Sequence, residues 1–593
     1  MAVLPVNLWL RLAIGFLAMA SLCGIYPAQA ARPNVVLILA DDLGFSDIAP
    51  YGSEINTPTL SAFAQSGVRF TNYHTSASCA PTRGMLLTSV DSHRNGVPNI
   101  PETIPPVQSV FPNYRGILGP NVVTVASLLQ DAGYHTYMAG KWHLGKERDQ
   151  LPFRRGFERT VTLADSGADN WEQKPYLPIY KKANWFADGE EFELPKDFYS
   201  SRFLIDKTIE FISSNADDGQ PFFAYVPFQA VHIPVQAPQV FTQKYMGVYD
   251  SGWDELRKLR QQRAEQLGIT PIGMPMVDMS TTSDWNAYTE DEQRYHAKRM
   301  AVYAGMIEAM DHHIGRLVDY LKTTGQFDNT VFIFTSDNGS EASGGDRPRS
   351  PLLRFSLQMQ EYNTDYDTLG LKGSFNTIGP SFASAAASPL AYYKFYAGEG
   401  GMRVPLVMAG ASIPAMEKPS NAFTWVTDIA PTILELAGVK PPSGRYGGHP
   451  VEPMIGRSLL RVARGESDRV YSPTETIGYE LGGNAALFQG DYKVVINIPP
   501  VGDNQWHLYN IVTDPGETQD LSRQMPQRFQ AMLGHYQNYV SKNGVLPVPA
   551  NYNAARQGTI NGILNRFGGQ ILLAVLTIIF LAPFYITYRA RRR

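Results

Sequence analysis

Cysteine is almost absent from this chain. Two occur in 593 residues, Cys23 and Cys79, and the first lies in a segment with the features of a cleaved leader. That leaves one thiol, so a disulfide-stapled scaffold is excluded. Charge of one sign is also scarce. The net charge is -4 and no basic block interrupts the globular part, which excludes nucleic acid as an expected partner. There is no internal repeat and no low-complexity tract. Long runs that are both uncharged and strongly apolar occur near the two ends. What remains is ordinary for a globular protein with a large core: 44% hydrophobic and 18% charged residues. The 42 prolines and 51 glycines are spread along the chain, pointing to many ordered loops on a rigid scaffold.

The ends read as targeting segments. Residues 1–30 hold Arg11, an apolar run from Leu12 to Ile25, and Ala28-Gln29-Ala30, the pattern of a secretory signal cleaved before Ala31. An uncleaved anchor and, more remotely, a lipoprotein at Cys23 are the alternatives. At the other end, Ile571 to Tyr588 carries no charge and precedes Arg589-Ala590-Arg591-Arg592-Arg593. As a helix it spans about 27 Å, close to a bilayer core. The arginines place that end in the cytoplasm. The protein is expected to be exported and tethered on the periplasmic or extracellular side. A permanent anchor and a cleaved sorting tail fit this run equally.

Between the ends, buried strands alternate with helices. Asn34–Ala40, Tyr134–Met138, Phe222–Phe228, Thr330–Thr335 and Val404–Met408 are continuous or near-continuous apolar runs. Thr57-Pro58 to Gly67 and Val123 to Gly133 read as helices with glycine stops. Thr289-Glu290-Asp291-Glu292 is a capping box opening a long helix to about Gly325. His312 and His313 lie inside it and read as structural. Asp428 to Gly438 is a shorter capped helix. Residues 240–288 read as an irregular lid or insertion, and 345–395 as a long irregular insertion. After about residue 468 a hairpin is expected on Gly490-Asp491, then a strand at Trp506–Ile511, a helix at Arg523–Asn543 and a Pro/Asn-containing linker to residue 567.

Polar clusters stand just past the strand ends, where open α/β sheets bind ligands. Asp41-Asp42 follows the first strand, and Ser336-Asp337-Asn338-Gly339 follows the strand at 330. Alone, an Asp-Asp pair is more often a solvated turn or a helix cap. Together, Asp41, Asp42, Asp337 and Asn338 offer four oxygen donors and no soft ligand, which suits Ca²⁺ or Mg²⁺ rather than zinc. Lys141 and His143 sit two apart in Gly140-Lys141-Trp142-His143-Leu144-Gly145. His232 follows another strand, in Ala230-Val231-His232-Ile233-Pro234. Lys394 stands six residues before Gly400-Gly401. Cys79-Ala80-Pro81-Thr82-Arg83-Gly84 reads as a loop entering a helix, whose free N–H groups and dipole suit an anion.

These landmarks, in this order, resemble the formylglycine-dependent (type I) sulfatases, closest to the bacterial arylsulfatase branch of the alkaline phosphatase superfamily. Cys79-x-Pro81-x-Arg83 matches the signature in which cysteine is oxidised to formylglycine; it ends in Leu87-Thr88-Ser89 where the family usually has Leu-Thr-Gly. Gly140–Gly145, His232, Asp337–Gly339, Glu399-Gly400-Gly401-Met402-Arg403 and Trp506–Asn510 match further landmarks over roughly residues 32–545. The resemblance implies roles for residues. Asp41, Asp42, Asp337 and Asn338, with the converted Cys79, would hold one divalent cation, Ca²⁺ favoured and Mg²⁺ possible. Formylglycine hydrate at 79 would be the nucleophile, with Asp337 as its base. Arg83 and Lys141 would place positive charge beside it. Lys141 and Lys394 would offset charge on the sulfuryl group. His232 would protonate the leaving oxygen, and His143 would take the proton that lets sulfate leave. An aldehyde hydrate retains a second hydroxyl, so its sulfated form can eliminate sulfate, which a sulfated serine cannot.

The implied activity is hydrolysis of a small-molecule or glycan sulfate ester, aryl sulfates foremost, after maturation by a formylglycine-generating enzyme. A formylglycine-dependent phosphonate or phosphodiester hydrolase is the near alternative. A membrane-tethered, non-catalytic binder of sulfated glycans is the distant one. The fold implied is α/β, a mixed, mostly parallel central sheet flanked by helices, with a smaller α+β antiparallel-sheet subdomain. The expected organisation is a signal at 1–30, a catalytic domain at 31–467, the subdomain at 468–545, a linker at 546–567 and a transmembrane or sorting tail at 568–593.

Overall fold

The computed structural model describes residues 32–177, 179–344, 351–590 and 592. The leader expected at 1–30 lies outside the described residues. The first strand, β1 (Asn34–Ala40), is fully buried and stands in the middle of a nine-stranded sheet. The others are β2 (Val68–Phe70), β3 (His135–Lys141), β4 (Arg159–Leu163), β5 (Trp185–Ala187), β6 (Glu190–Glu191), β7 (Phe222–Pro227), β8 (Thr330–Ser336) and β9 (Leu406–Gly410). Their spatial order is β2-β9-β8-β1-β7-β3-β4-β5-β6. The central five, β8 to β4, run parallel, and the edges are antiparallel.

Two-faced burial explains the apolar runs. Val36 and Ile38 of β1 enter one core and Val35, Leu37 and Leu39 the other. The first core is closed by α1 (Pro58–Ser66), by α4 (Ser200–Ser214) and by the 34-residue α6 (Glu290–Thr323). The second is closed by α2 (Cys79–Thr88), α3 (Val125–Asp131) and α9 (Ile429–Leu436). The capping box of α6 is present, with Thr289 and Glu292 bonding each other's backbone.

The sequence reading departs from the structure where periodicity is masked by charge. Within 240–288, expected as an irregular lid or insertion, runs α5 (Gly252–Gln266). Its buried stripe is Trp253, Leu256, Arg257, Arg260 and Ala264, a helical spacing hidden because two positions are arginines. Arg260 is fully buried and pairs with Asp47 at 2.6 Å and Glu54 at 2.8 Å, so this region belongs to the core. The insertion at 345–395 likewise contains α7 (Pro351–Met359) and α8 (Gly379–Ala386).

The C-terminal sheet is antiparallel: β10 (Thr476–Leu481), β11 (Asn484–Gln489), β12 (Tyr492–Ile496) and β13 (His507–Asn510). The expected hairpin is there, Gln489 facing Tyr492 across Gly490-Asp491. Helix α10 (Pro526–Asn543) packs Met532 and Tyr536 on this sheet. Strand β10 was not anticipated, because Gly478 and Glu480 interrupt its pattern. The expected linker is also shorter: α11 (Ala554–Ala590) begins inside it and continues unbroken through the uncharged run. Ala554, Ala555, Arg556 and Gln557 are good helix formers and start it. Among the described residues, α11 is the one helix long and apolar enough to cross a membrane, with mean hydropathy 2.3 over its most apolar 18 residues. Such a helix is compatible with membrane tethering.

Candidate active site

Strand register builds the site. Ala40 of β1 pairs with Ser336 of β8, so Asp41 and Asp337 leave the sheet side by side. Asp337 N donates to Ala40 O at 3.1 Å, and Asp42 N donates to Asp337 Oδ1 at 3.2 Å. On the other flank Leu39 pairs with Pro227 of β7. The chain beyond β7 is then pinned to the same place: Asp41 N donates to Ala230 O at 2.8 Å and Val231 N to Asp41 O at 2.7 Å. This sets His232 against Asp42, Nε2 to Oδ2 at 3.5 Å. Lys141 ends β3 beside β7. Gly140 before it has φ +141°, and a Cβ there would fall 1.9 Å from Pro227 O, so only glycine lets the strand end approach so closely.

Helix α2 begins at Cys79 and presents Arg83 one turn on. The Cys79 thiol lies 3.7 Å from Asp42 Oδ1. The side-chain donor atoms of Asp41, Asp42, Cys79 and His232 all lie within 4.8 Å of one another. Asn338 Nδ2 donates to Asp42 Oδ1 at 2.7 Å, while Asn338 Oδ1 is buried without a partner. Four oxygen-bearing side chains converge, and one of them keeps an unmatched acceptor. A hard divalent cation fits that donor set.

Buried cations balance these carboxylates. Arg83 donates through Nε and Nη2 to Asp337 Oδ2 at 2.9 and 2.7 Å, and through Nη1 to Lys141 O at 2.7 Å. Lys141 Nζ bridges both Asp41 oxygens at 3.0 and 2.7 Å. Lys394 Nζ reaches Asp42 Oδ1 at 2.8 Å and Glu341 Oε2 at 2.9 Å. The lysine is placed by backbone bonds, Lys394 N to Ser340 O at 3.0 Å and Phe395 N to Ala77 O at 2.7 Å. The Glu-Gly-Gly element closes this side. A Cβ on Gly339 would lie 1.9 Å from Gly400 O.

The charge states follow from this packing. Burial raises the Asp41 carboxyl, but Lys141, His232, Arg83 and Lys394 together hold it well below the usual carboxylate range. Asp42 is pushed up to about 7 by burial, against Lys394, because Asp41, Glu341 and Asp337 crowd it. Such a site draws a cation. Burial, then Lys141, lowers His232 to about 3, against the pull of Asp41. Its Nδ1 meets Ile233 O at 2.7 Å, which puts the proton of the neutral ring on Nδ1 and leaves Nε2 facing the site. Burial raises the Cys79 thiol well above its ordinary value, so an unmodified Cys79 is a poor nucleophile here.

His143 has φ +57° and a buried Nδ1 without a partner. Its Nε2 faces Glu102 Oε1 at 3.4 Å. Glu102 also accepts from Tyr180 OH and is held down to about 2, its burial outweighed by His143 and Tyr180. Glu102 and Glu341 were not anticipated. Glu341 had a signal, standing three residues past Asn338 at a strand end. Glu102 had none, since it lies in a loop. Every anticipated residue, Asp41, Asp42, Cys79, Arg83, Lys141, His143, His232, Asp337, Asn338 and Lys394, is in this cluster or on the wall of the cavity above it. That cavity encloses about 770 Å³ and is lined by Cys79, His143, His232 and Lys394 together with Tyr176 and Phe375.

Comparison with known proteins bears on the family and the fold. A sulfatase family profile matches residues 33–439. An uncharacterised sulfatase of Schizosaccharomyces pombe is 37% identical over 551 residues, 90% of this chain and 97% of its own. An arylsulfatase of Klebsiella aerogenes is 36% identical over 446 residues, 74% of this chain and 94% of its own. In fold, the chain is similar to Ps i-CgsB in complex with k-i-k-neocarrahexaose, at TM-score 0.61 and 22% identity, over 91% of this chain and 99% of that one. It is also similar to the PsFucS1 sulfatase from Pseudoalteromonas sp., at TM-score 0.57 and 20% identity, over 89% and 93%.

Proposed function

The chain belongs to the sulfatase family and is a sulfuric ester hydrolase, and from that premise we propose that it cleaves aryl sulfates with formylglycine at position 79. One observation carries the reading: Cys79, His143, His232 and the buried Lys394 line a single cavity, with Lys141 and the oxygen donors of Asp41, Asp42, Asp337 and Asn338 packed beside them. Cys79 Cβ is the carbon that becomes the aldehyde, and the aldehyde as its hydrate supplies the attacking oxygen. Asp41, Asp42, Asp337 and Asn338 would hold a divalent cation, Ca²⁺ favoured, which would supply Lewis-acid polarisation of a sulfate oxygen.

The chain's own groups do the rest. Lys141 and Lys394 keep positive charge at the floor, where the sulfuryl oxygens gain negative charge. Arg83 fixes Asp337, the base for the oxygen at residue 79. His232 is neutral in the empty pocket, and an anionic ester beside Nε2 draws a proton onto it, ready for the leaving phenol oxygen. His143, steadied by Glu102, accepts the proton that lets sulfate depart. Tyr176 and Phe375 on the cavity wall suit an aromatic leaving group.

The proposed organisation is a leader at 1–30, a catalytic unit at 31–467, a bracing subdomain at 468–545, and export to the periplasmic or extracellular face with Ile571–Tyr588 in the membrane. Maturation requires a formylglycine-generating enzyme. The test is mass spectrometry of the tryptic peptide Phe70–Arg83 beside assays on an aryl sulfate and an aryl phosphodiester. The expected peptide is lighter than the thiol form by about the mass of one water, and the sulfate is the faster substrate. An intact thiol in active enzyme refutes the nucleophile, and faster phosphodiester cleavage refutes the substrate preference.

A further inference from the structure

The helix that ends in the uncharged run is also a wall of the catalytic cavity. Before Ile571, α11 lies against the globular body. Asn561 Nδ2 donates to the carbonyls of Glu102 and Ile104 at 2.8 and 2.9 Å, and Tyr552 OH, just before the helix, to Thr103 O at 3.0 Å. Ala554, Gln557, Gly558, Asn561 and Gly562 form the half-buried stripe, at the three-and-four spacing of one helix face. A Cβ on Gly562 would lie 3.5 Å from Ile179, so the helix rests closely on that loop. The next stripe round the helix faces the cavity through Ile563 and Phe567. Phe355 and Met359, one turn apart on α7 and 58% and 57% exposed, line the same cavity.

The cavity wall therefore carries exposed apolar side chains from two helices, α7 and α11, with Arg566 of α11 also on it, above a charged floor. A soluble enzyme for soluble esters gains nothing from exposing such a wall, whereas a membrane or an apolar ligand covers it. The helix also fixes where the mouth lies. Phe567 and Ile571 are four positions apart, about 6 Å along a helix axis, so the mouth falls in the headgroup layer of any bilayer that takes up the uncharged run.

We propose that the cavity opens onto the membrane surface and takes an amphiphilic sulfate ester, its sulfate at residue 79 and its hydrocarbon tail passing between α7 and α11 into the adjoining leaflet. This rests on the sulfatase reading above and names the substrate class. Ile563 and Phe567 then set specificity for the tail, and the anchor serves as a substrate guide as well as a tether.

The test uses the full chain reconstituted in phosphatidylcholine vesicles, with two probes: an aryl sulfate carrying a long alkyl chain, and the same aryl sulfate without it. At fixed bulk concentration of the chained ester, about tenfold more phospholipid is expected to slow turnover by up to about tenfold, because the ester is diluted in the bilayer. The double variant Ile563→Glu, Phe567→Glu, at side chains 43% and 44% exposed, is expected to lower the ratio of kcat/KM for chained over unchained ester by about tenfold. A rate indifferent to added phospholipid, with an unmoved ratio, overturns the membrane-facing pocket while leaving sulfate hydrolysis standing. Failure to cleave either ester overturns both.

Discussion

Arg83 and Asp337 form a forked pair at the centre of the molecule, two nitrogens on one carboxylate oxygen at 2.9 and 2.7 Å, both side chains fully buried. The arginine of the Cys-x-Pro-x-Arg motif thus faces the cation set rather than the cavity. Arg83→Met should leave Asp337 charged and unmatched and cost about 3–5 kcal/mol in urea unfolding. Arg83→Lys keeps the charge but not the fork, and should cost less, about 1–3 kcal/mol, with activity down roughly 10–100-fold. A methionine variant as stable as the parent would show that the pair does not hold the site.

Cation removal should be visible without turnover. The donor set includes Asp42, crowded by three other carboxylates, and the unpartnered Asn338 Oδ1. A chelated sample should melt lower, and Ca²⁺ or Mg²⁺ at about a hundred times its dissociation constant should restore about 2.7 kcal/mol. Asn338→Ala should raise the Ca²⁺ concentration needed for half-restoration about tenfold or more. Melting curves that ignore chelator and metal alike would sink the cation site.

Much of this architecture was legible because burial on both faces writes continuous apolar runs into β1, β7 and β8, and because ligands gather at their ends. Asp41 and Asp337, almost 300 residues apart, could be united from sequence by that logic. What could not be read has physical reasons. Arg260 looks like surface charge in a helix of arginines and glutamates, yet it is buried because Asp47 and Glu54 meet it. Glu102 touches the site from a loop that no periodicity marks. The start of α11 looked like a linker because its packing face is small and polar, Gly558, Asn561 and Gly562, and its partners are backbone carbonyls that leave no trace in a hydropathy pattern.

Ser89 shows what a departure from the family pattern does. It closes α2 with φ +54°, the left-handed conformation that glycine adopts freely. The strain, about 1–2 kcal/mol for a residue with a Cβ, is offset by its hydroxyl, which accepts from Gly456 N at 3.0 Å. Ser89→Ala keeps the strain and loses the bond, so it should destabilise by about 1–2 kcal/mol. Ser89→Gly loses the bond and relieves the strain, and should fall nearer the parent. Chemical denaturation of the three proteins checks the order, and an alanine variant at least as stable as the glycine one contradicts it.

His93 should make stability fall as the solution becomes basic. It is fully buried, with Nε2 2.8 Å from Glu480 of β10, Nδ1 3.4 Å from Asp91, and Tyr539 of α10 alongside. Burial disfavours its charge, but the two carboxylates prevail and raise it from 6.5 to about 9. The folded value lies above the unfolded one, so the contribution is complete below about 6.5 and is lost as pH climbs through about 9. Its size is roughly 3 kcal/mol, one pKa unit being about 1.4 kcal/mol. Because the pair joins the catalytic unit to the C-terminal sheet, its loss should loosen that contact first. His93→Gln removes the charge at every pH. The Tm difference between parent and variant should therefore be largest near pH 6 and shrink steadily towards pH 9.5. A difference that stays constant across that range would mean that His93 is not held protonated by Glu480 and Asp91.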